Sequence, residues 1–254
     1  MVRVLYIGDS ETVIARYCVG ADVLEQSWFN DNGRYLREAM RDQSDIDVTH
    51  IIPANVPHEF PSSDDELAAY DVVILSDVGY NSMLFYPGQA PPYSYPLGPD
   101  RCKMIAGFVD RGGGFIMVGG YLSFAGFNGM ACYYDTVIED ILPVTIARHD
   151  DRVEVVNGFR FEIVDASHPA VSGIDWTSSS FTLCGYNRLT LKPNAHLIAR
   201  HVNDPIIATG THGLGRTAIF ASDFAPHWAG DFPGWDGYPV FWRQMLSWLG
   251  TNNA

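Results

Sequence analysis

Four short apolar runs recur through the first 120 residues, and a segment with helical features lies between each run and the next. The runs are "VRVLYIG", "IDVTHII", "YDVVILSDVG" and "GGGFIMVGG". In the first intervening segment, Gly33 to Gln43, the residues Leu36, Ala39 and Met40 share one helical face. The order β-α-β-α-β-α-β predicts a mostly parallel sheet that helices cover on both faces.

Local signals place the ends of the other helices. Ser63 is a predicted N-cap with Glu66 three residues later as the partner of a capping box. Pro99 is expected to begin a helix that runs to Arg111. The last segment, "GYPVFWRQMLSWLG", has an apolar helical face and ends at Gly250.

The 150–211 region has a different pattern. It contains short alternating or apolar runs, and "NG" and "HGLG" are turn signals between them. This pattern predicts antiparallel strands that extend the same sheet. Because no linker-like stretch separates this region from the rest, we expect residues 1–254 to form one α/β domain.

Composition limits the partners of the chain. The formal net charge is −14, which repels phosphate backbones and anionic lipid surfaces, so neither nucleic acid nor membrane is an expected partner. No signal peptide or membrane-spanning run is evident. The four cysteines are scattered without a C-x-x-C pair, which is typical of free thiols in a reducing compartment, so we expect a cytoplasmic protein.

Polar residues follow the carboxyl ends of the predicted strands, where ligands bind in open parallel sheets. These candidate site residues should converge on one edge of the sheet: Asp9, Ser10, Asp77, Asn81, Tyr121, Ser123, Asp223, His227 and Trp228. Each also has a purely structural interpretation, as a helix cap, a turn residue or a packed aromatic ring. No metal-ligand motif is present, and no metal or other cofactor is expected.

Taken together, these segments resemble the class I glutamine amidotransferase-like superfamily. The resemblance rests on "YDVVILSDVGYN", "GGGFIMVGGYLSFAG", "TVIEDILPV" and "GLGRTAIFASDFAPHW", and it extends over essentially the whole chain. Within the superfamily the chain is most similar to a cytoplasmic branch labelled glutamine amidotransferase, which is related to trehalose-utilisation-type domains. The resemblance implies a flavodoxin-like three-layer α/β/α sandwich.

The sequence departs from this superfamily at the nucleophile. In glutamine amidotransferases a Cys stands on the elbow after the strand that corresponds to Phe115–Val118, and a His and a Glu follow the late strand. Here the elbow carries Gly119 and Gly120, and the late strand is followed by Asp223 and His227. Glutamine hydrolysis by the usual mechanism is therefore not expected, although the fold is.

Three hypotheses about function remain open. The first is a cleft that binds a small polar ligand, preferably a carbohydrate or polyol, with Gly119 and Gly120 letting it approach the backbone and Trp228 lining the cleft. The second is a hydrolase or amidase that uses Ser123 or Cys132 with His227. The third is a non-catalytic module that forms a homo-oligomer through surface aromatic residues, for which Tyr93, Tyr95 and Trp235 are candidates.

Overall fold

The computed structural model describes residues 1–85, 98–177 and 180–251. Fourteen strands lie in these described ranges: β1 Val2–Gly8, β2 Ser10–Val19, β3 Asp22–Asp31, β4 Ile46–Ile51, β5 Val72–Ser76, β6 Gly114–Val118, β7 Val144–Thr145, β8 Arg152–Phe159, β9 Glu162–Ile163, β10 Leu183–Asn187, β11 Thr190–Leu191, β12 His196–His201, β13 Asp204–His212 and β14 Gly215–Phe220.

The same ranges contain eight α-helices and three short 3₁₀ turns. The helices are α1 Arg34–Met40, α2 Val56–Glu59, α3 Asp64–Leu67, α4 Tyr80–Leu84, α5 Arg101–Asp110, α6 Val137–Ile141, α7 Pro226–Ala229 and α8 Gly237–Gly250. No helix among the described residues is both long and apolar enough to cross a membrane.

An eight-stranded sheet forms the centre of the molecule, in the order β4-β1-β5-β6-β14-β13-β12-β9. The first five strands in that order are parallel, and the remaining pairings are antiparallel. Every residue of β5 and β6 is buried, as expected for strands that are covered on both faces. The predicted mostly parallel α/β sheet is thus confirmed.

The helices form two layers around the sheet. Helices α1 and α8 pack on each other, and α8 also contacts β1, β5, β6 and β14. The second group is centred on α5, which packs against α3, α4 and α6 and against β6 and β14. With the sheet between them, the layers form the expected flavodoxin-like α/β/α arrangement.

Sequence signals located the predicted ends of α3, α5 and α8 to within two residues. Ser63 accepts a hydrogen bond from the Glu66 N–H at 3.2 Å, but the Glu66 carboxylate accepts from the Ser62 N–H rather than from that of Ser63. The helix expected to begin at Pro99 begins at Arg101, because the Asp100 carboxylate caps it. The last helix has its predicted apolar face buried and ends at Gly250.

The 150–211 region extends the sheet only in part. Strands β9, β12 and β13 join the main sheet, whereas β8 pairs with β10, and β7 with β11, in two separate two-stranded sheets. The "HGLG" turn joins β13 to β14 as expected. The "NG" signal was wrong as a hairpin turn, because Asn157 and Gly158 lie within β8.

A β-hairpin that the sequence analysis does not predict stands between β1 and α1. Strands β2 and β3 pair along their whole length, and Gly20, with a φ of 62°, lies in the two-residue turn that joins them. The hairpin contributes no strand to the main sheet. At its base the Gly33 N–H donates to the Asp9 carbonyl oxygen at 2.7 Å, which holds the two ends of the hairpin together beside the end of β1.

Candidate functional site

The carboxyl ends of four neighbouring strands meet at one edge of the sheet. Strands β1, β5, β6 and β14 are adjacent in that order, and all run in the same direction. Asp9, Asp77 and Gly119 come directly after the first three of these strands, and Asp223 follows β14. The structure therefore places these four predicted residues along a single edge.

Asp9 is the most enclosed of three carboxyl groups at this edge. Its side chain is 2% exposed and accepts a hydrogen bond from the Tyr6 hydroxyl. Burial raises the pKa of Asp9 well above its usual range, and the nearby charges of Asp223 and Asp77 add to this rise. The environment of Asp9 therefore disfavours its ionised form.

Asp77 is the carboxyl group whose protonation changes near neutrality. Its Oδ1 atom accepts a hydrogen bond from the Leu122 N–H at 2.6 Å, and its own N–H donates to the Ser123 hydroxyl at 2.9 Å. Burial and then the charge of Asp223 raise the pKa of Asp77 to about 7. This residue can therefore exchange a proton in the physiological range.

His227 is the basic side chain of the site. Its Nδ1 atom lies 3.9 Å from Oδ2 of Asp223, and its side chain is about half exposed, whereas the Asp223 side chain is almost fully buried. The interaction with Asp223 raises the pKa of His227, against the opposing effect of burial. Asp223 also accepts a hydrogen bond from the Ala225 N–H at 3.0 Å, which orients the carboxylate.

The two elbow glycines are needed by the protein's own packing. A Cβ atom at Gly119 would lie 2.2 Å from the Ala221 carbonyl oxygen, and one at Gly120 would lie 2.8 Å from Oδ1 of Asp77. Gly120 also has a φ of 151°. The space beside both glycines is filled by protein atoms, whereas the sequence analysis expects a ligand there.

Two buried residues that the sequence analysis did not single out hold the elbow in place. Asn187 accepts a hydrogen bond from the Gly120 N–H at 3.0 Å and donates to Oδ1 of Asp151 at 2.8 Å. Asp151 in turn accepts from the N–H groups of Ala125 and Gly126. No motif marks these residues, since Asn187 ends β10 and Asp151 precedes β8, far from the elbow in sequence.

Trp228 is fully buried and offers no free ring face to a ligand. Its Nε1–H donates to Glu154 at 3.2 Å, and the Tyr121 hydroxyl donates to the other oxygen of the same carboxylate at 2.9 Å. The Tyr121 ring meets the edge of His227 with centroids 4.5 Å apart. Tyr121 is thus the predicted aromatic residue that lies at the site, while Trp228 packs beneath it.

The two candidate nucleophiles are not arranged for attack. Ser123 is fully buried, and its hydroxyl donates to the Val118 carbonyl oxygen at 2.6 Å while accepting from the Asp77 N–H. The Cys132 thiol donates to the Gly129 carbonyl oxygen at 3.2 Å. Within the described residues, neither group is hydrogen-bonded to His227.

The remaining predicted residues lie at the periphery. Ser10 begins β2 directly after Asp9, and the next residue, Glu11, is close enough for its charge to raise the pKa of Asp77. Asn81 is exposed in the first turn of α4. Of the aromatic residues proposed for an interface, Tyr93 and Tyr95 lie outside the described residues, and Trp235 packs against the core.

Two other kinds of site in the described residues do not compete with this one. They contain no cluster of His, Cys, Asp or Glu arranged to hold a metal ion. A cavity of about 620 Å³ lies beside the start of β14 and the end of α8, away from the carboxyl groups. Its two arginines are already engaged, Arg216 by the Trp248 carbonyl and Arg243 by Asp45. We therefore place the candidate site at the carboxyl cluster.

Comparison with known proteins gives a consistent result. Two cytoplasmic proteins of Salmonella typhimurium, the second from strain LT2, each share 34% identity with this chain, with a TM-score of 0.90. This chain is covered to 97% in both cases, and the two relatives to 98% and 99%. No protein of curated function matches.

A more distant structure shows the same fold. A ThuA-like protein of Parabacteroides merdae shares 12% identity with a TM-score of 0.56, covering 98% of this chain and 90% of its own. A family model described as "putative glutamine amidotransferase" matches residues 3–251. The chain therefore belongs to this glutamine amidotransferase-like family.

Proposed function

We propose that the chain binds a small neutral ligand rich in hydroxyl groups, a carbohydrate or a polyol, at the carboxyl cluster, and that it does not hydrolyse glutamine. The observation that carries the proposal is the convergence of Asp9, Asp77 and Asp223 with His227 at an elbow without a nucleophile. Ionised carboxylates accept hydrogen bonds from hydroxyl groups, and a protonated histidine donates one.

The elbow loop adds an apolar surface beside these polar groups. Leu122 and Phe127 are 40% and 36% exposed, and the Leu122 N–H is bound directly to Asp77. The Tyr121 ring lies between Phe127 and His227. A ligand with one hydroxylated edge and one C–H face, as sugars have, matches this combination better than a fully polar ion does.

The geometry favours this proposal over the hydrolase alternative. Ser123 is buried, and its hydroxyl already makes two hydrogen bonds. A cysteine could not take the place of either elbow glycine without a clash, since its Cβ would meet the Ala221 carbonyl at position 119 or the Asp77 carboxyl at position 120. An acyl-enzyme mechanism needs a nucleophile within hydrogen-bond reach of its base. His227 instead lies 3.9 Å from the Asp223 carboxylate, with about half of its side chain exposed.

We also propose that the protein acts in the cytoplasm. The support is its likeness, over nearly its whole length, to two relatives described as cytoplasmic proteins. Free thiols agree with this location, since all four cysteines are unpaired.

Ligand-induced stabilisation tests the proposed function. Purified protein is heated with sugars, polyols, amines and glutamine, each in turn, and the unfolding temperature is measured. A ligand at 100 times its Kd adds about 2.7 kcal/mol of stability, which for a chain of this size corresponds to roughly 5–10 °C. We expect such a shift from a hydroxylated neutral compound and none from glutamine.

Two histidine variants make the test specific. His227→Ala should remove the shift, while His58→Ala, which changes an exposed histidine far along the sequence on α2, should leave it intact. Absence of any shift with sugars and polyols, or an equal shift in both variants, would refute the proposal. Release of ammonia from glutamine would restore the amidotransferase alternative.

A further inference from the structure

The hairpin of β2 and β3 stands apart from the rest of the fold. Its strands pair only with each other, and neither packs appreciably against any other described helix or strand. A two-stranded hairpin without a further layer is marginally stable in water. This hairpin therefore calls for a covering surface that the single chain does not provide.

Large apolar side chains project from both faces of the hairpin. Seven of them are between 45% and 74% exposed: Ile14, Tyr17, Val19, Val23, Leu24, Trp28 and Phe29. Adjacent exposed apolar side chains of this number mark an interaction surface rather than ordinary surface variation.

The exposed apolar area of the hairpin is large. An aromatic side chain buries about 150–250 Å², and an aliphatic one about 60–120 Å² when its transfer free energy is converted to area. At the observed exposures the seven side chains offer roughly 400–650 Å² of apolar surface per chain. Pairing of two β3 edges brings the four of these side chains that lie on β3, Val23, Leu24, Trp28 and Phe29, into cross-strand contact and so covers part of this area.

The outer edge of β3 has only its acidic side chains, Asp22, Glu25 and Asp31, to keep it from pairing with another strand. Its sequence, "DVLEQSWFND", contains neither lysine nor proline, and its register with β2 is unbroken by any bulge. Natural sheets usually protect a free edge with one of these devices. A ten-residue edge with no bulge, lysine or proline is thus available to another strand.

The sequence of β3 is complementary to itself in one antiparallel register. When Gln26 faces Gln26 of a second copy, Trp28 lies opposite Leu24 and Phe29 opposite Val23. In the same register Glu25 faces Ser27 and Asp22 faces Asn30, so no like charges are opposed.

Neighbouring symmetric registers are less favourable. A shift of the twofold axis to Glu25 sets that carboxylate against its own copy, and a shift to Ser27 sets Phe29 against Glu25. We propose that a second copy of this chain docks on the hairpin, with the β3 edges of the two copies paired about Gln26 in a four-stranded sheet.

Light scattering after size-exclusion chromatography gives the first test. The wild-type chain should have twice the 28.2 kDa mass of one chain. Leu24→Lys places a charge opposite Trp28 of the second copy and should halve the measured mass at the same concentration. The control is Val156→Lys on β8, which adds the same charge at a position that is 97% exposed and should leave the dimer intact.

Cross-linking tests the register. In a Cys18→Ser background, Gln26→Cys should form an intermolecular disulfide under mild oxidation, since opposed Cα atoms are about 4.5–5.5 Å apart and disulfides span about 4.4–6.8 Å. Ser27→Cys is the matched control, because in this register the two copies of that residue are offset and should cross-link at least tenfold more slowly.

The proposal is overturned by a wild-type chain that stays monomeric at all concentrations. A dimer that survives Leu24→Lys would show that the copies meet elsewhere. Equal cross-linking at residues 26 and 27 would refute the β3 register. Circular dichroism of each variant, unchanged from wild type, establishes that a lost dimer does not reflect a lost fold.

Discussion

Replacing Asp77 by asparagine should stabilise the protein strongly at pH 8 and much less at pH 5. Burial and the charge of Asp223 raise the pKa of Asp77 from 3.8 to about 7 in the folded chain. Between these values the folded state binds a proton that the unfolded state has released. The free energy of unfolding therefore falls as pH rises through this window.

The expected magnitude follows from the size of the shift. A rise of about 3 pKa units, at 1.36 kcal/mol per unit, corresponds to roughly 4 kcal/mol of stability lost by pH 8. The amide side chain of the Asp77→Asn variant retains an oxygen that can accept the Leu122 N–H, so this hydrogen bond need not be lost. We expect a gain of about 2–4 kcal/mol at pH 8, because the cost of burying the asparagine amide offsets part of this difference.

Urea unfolding of wild type and variant between pH 5 and pH 8 measures this difference. Asp47→Asn, an exposed aspartate on β4 of the same sheet, serves as the control and should show no pH-dependent gain. The reasoning that ionised Asp77 destabilises the folded chain would be refuted by a variant that is less stable than wild type at pH 8. It would also be refuted by a stability gain at pH 5 equal to that at pH 8.

Two further predictions concern the elbow and its support. Gly119→Ala should lower the free energy of unfolding by about 3 kcal/mol or more, because its Cβ would overlap the Ala221 carbonyl oxygen; a calorimetric melting temperature within 2 °C of wild type would contradict this. Asn187→Ala should lower the free energy of unfolding in urea by about 3 kcal/mol or more, because it leaves the Gly120 N–H and the buried Asp151 carboxyl without their partner. Asn187→Asp should not restore the stability, since its carboxylate would face that of Asp151. Wild-type stability in the Asn187→Asp variant would argue against the role assigned to Asn187.

The parallel half of the sheet is predictable because its physical signal is local. Strands such as β5 are buried on both faces and so appear as continuous apolar runs, while α8 carries its apolar residues at helical spacing. Asp9 and Asp77 follow such strands directly and Asp223 comes three residues after the end of β14, so their common edge could be inferred from strand order.

The hairpin escaped prediction for the opposite reason. Its apolar residues project from both faces and are interrupted by charged ones, so they show no clean alternation, and Gly20 alone marks the turn. The segment "VIARYCV" is rich in strand-forming residues, but without an alternating apolar face it does not indicate which surface the strand would pack against.

The support of the elbow could not be found from sequence either. Asn187 and Asp151 act on Gly120 and on the loop after it through contacts that join segments 67 and 25–26 residues apart. Only the antiparallel pairing of β10 with β8 brings the two side chains together. Polar residues at strand ends are common, and nothing in their spacing separates these two from the rest.

Because a hydrogen bond closes its base, the hairpin can form and open separately from the rest of the fold. Because the Gly33 N–H meets the Asp9 carbonyl oxygen, the chain leaves and re-enters the core at nearly one point. The core can therefore assemble while the hairpin is still open, and backbone amides beyond the base should exchange with solvent far sooner than those of β5. The same closure makes this a position at which a peptide of similar length can be grafted without displacing the strand ends that carry the carboxyl cluster.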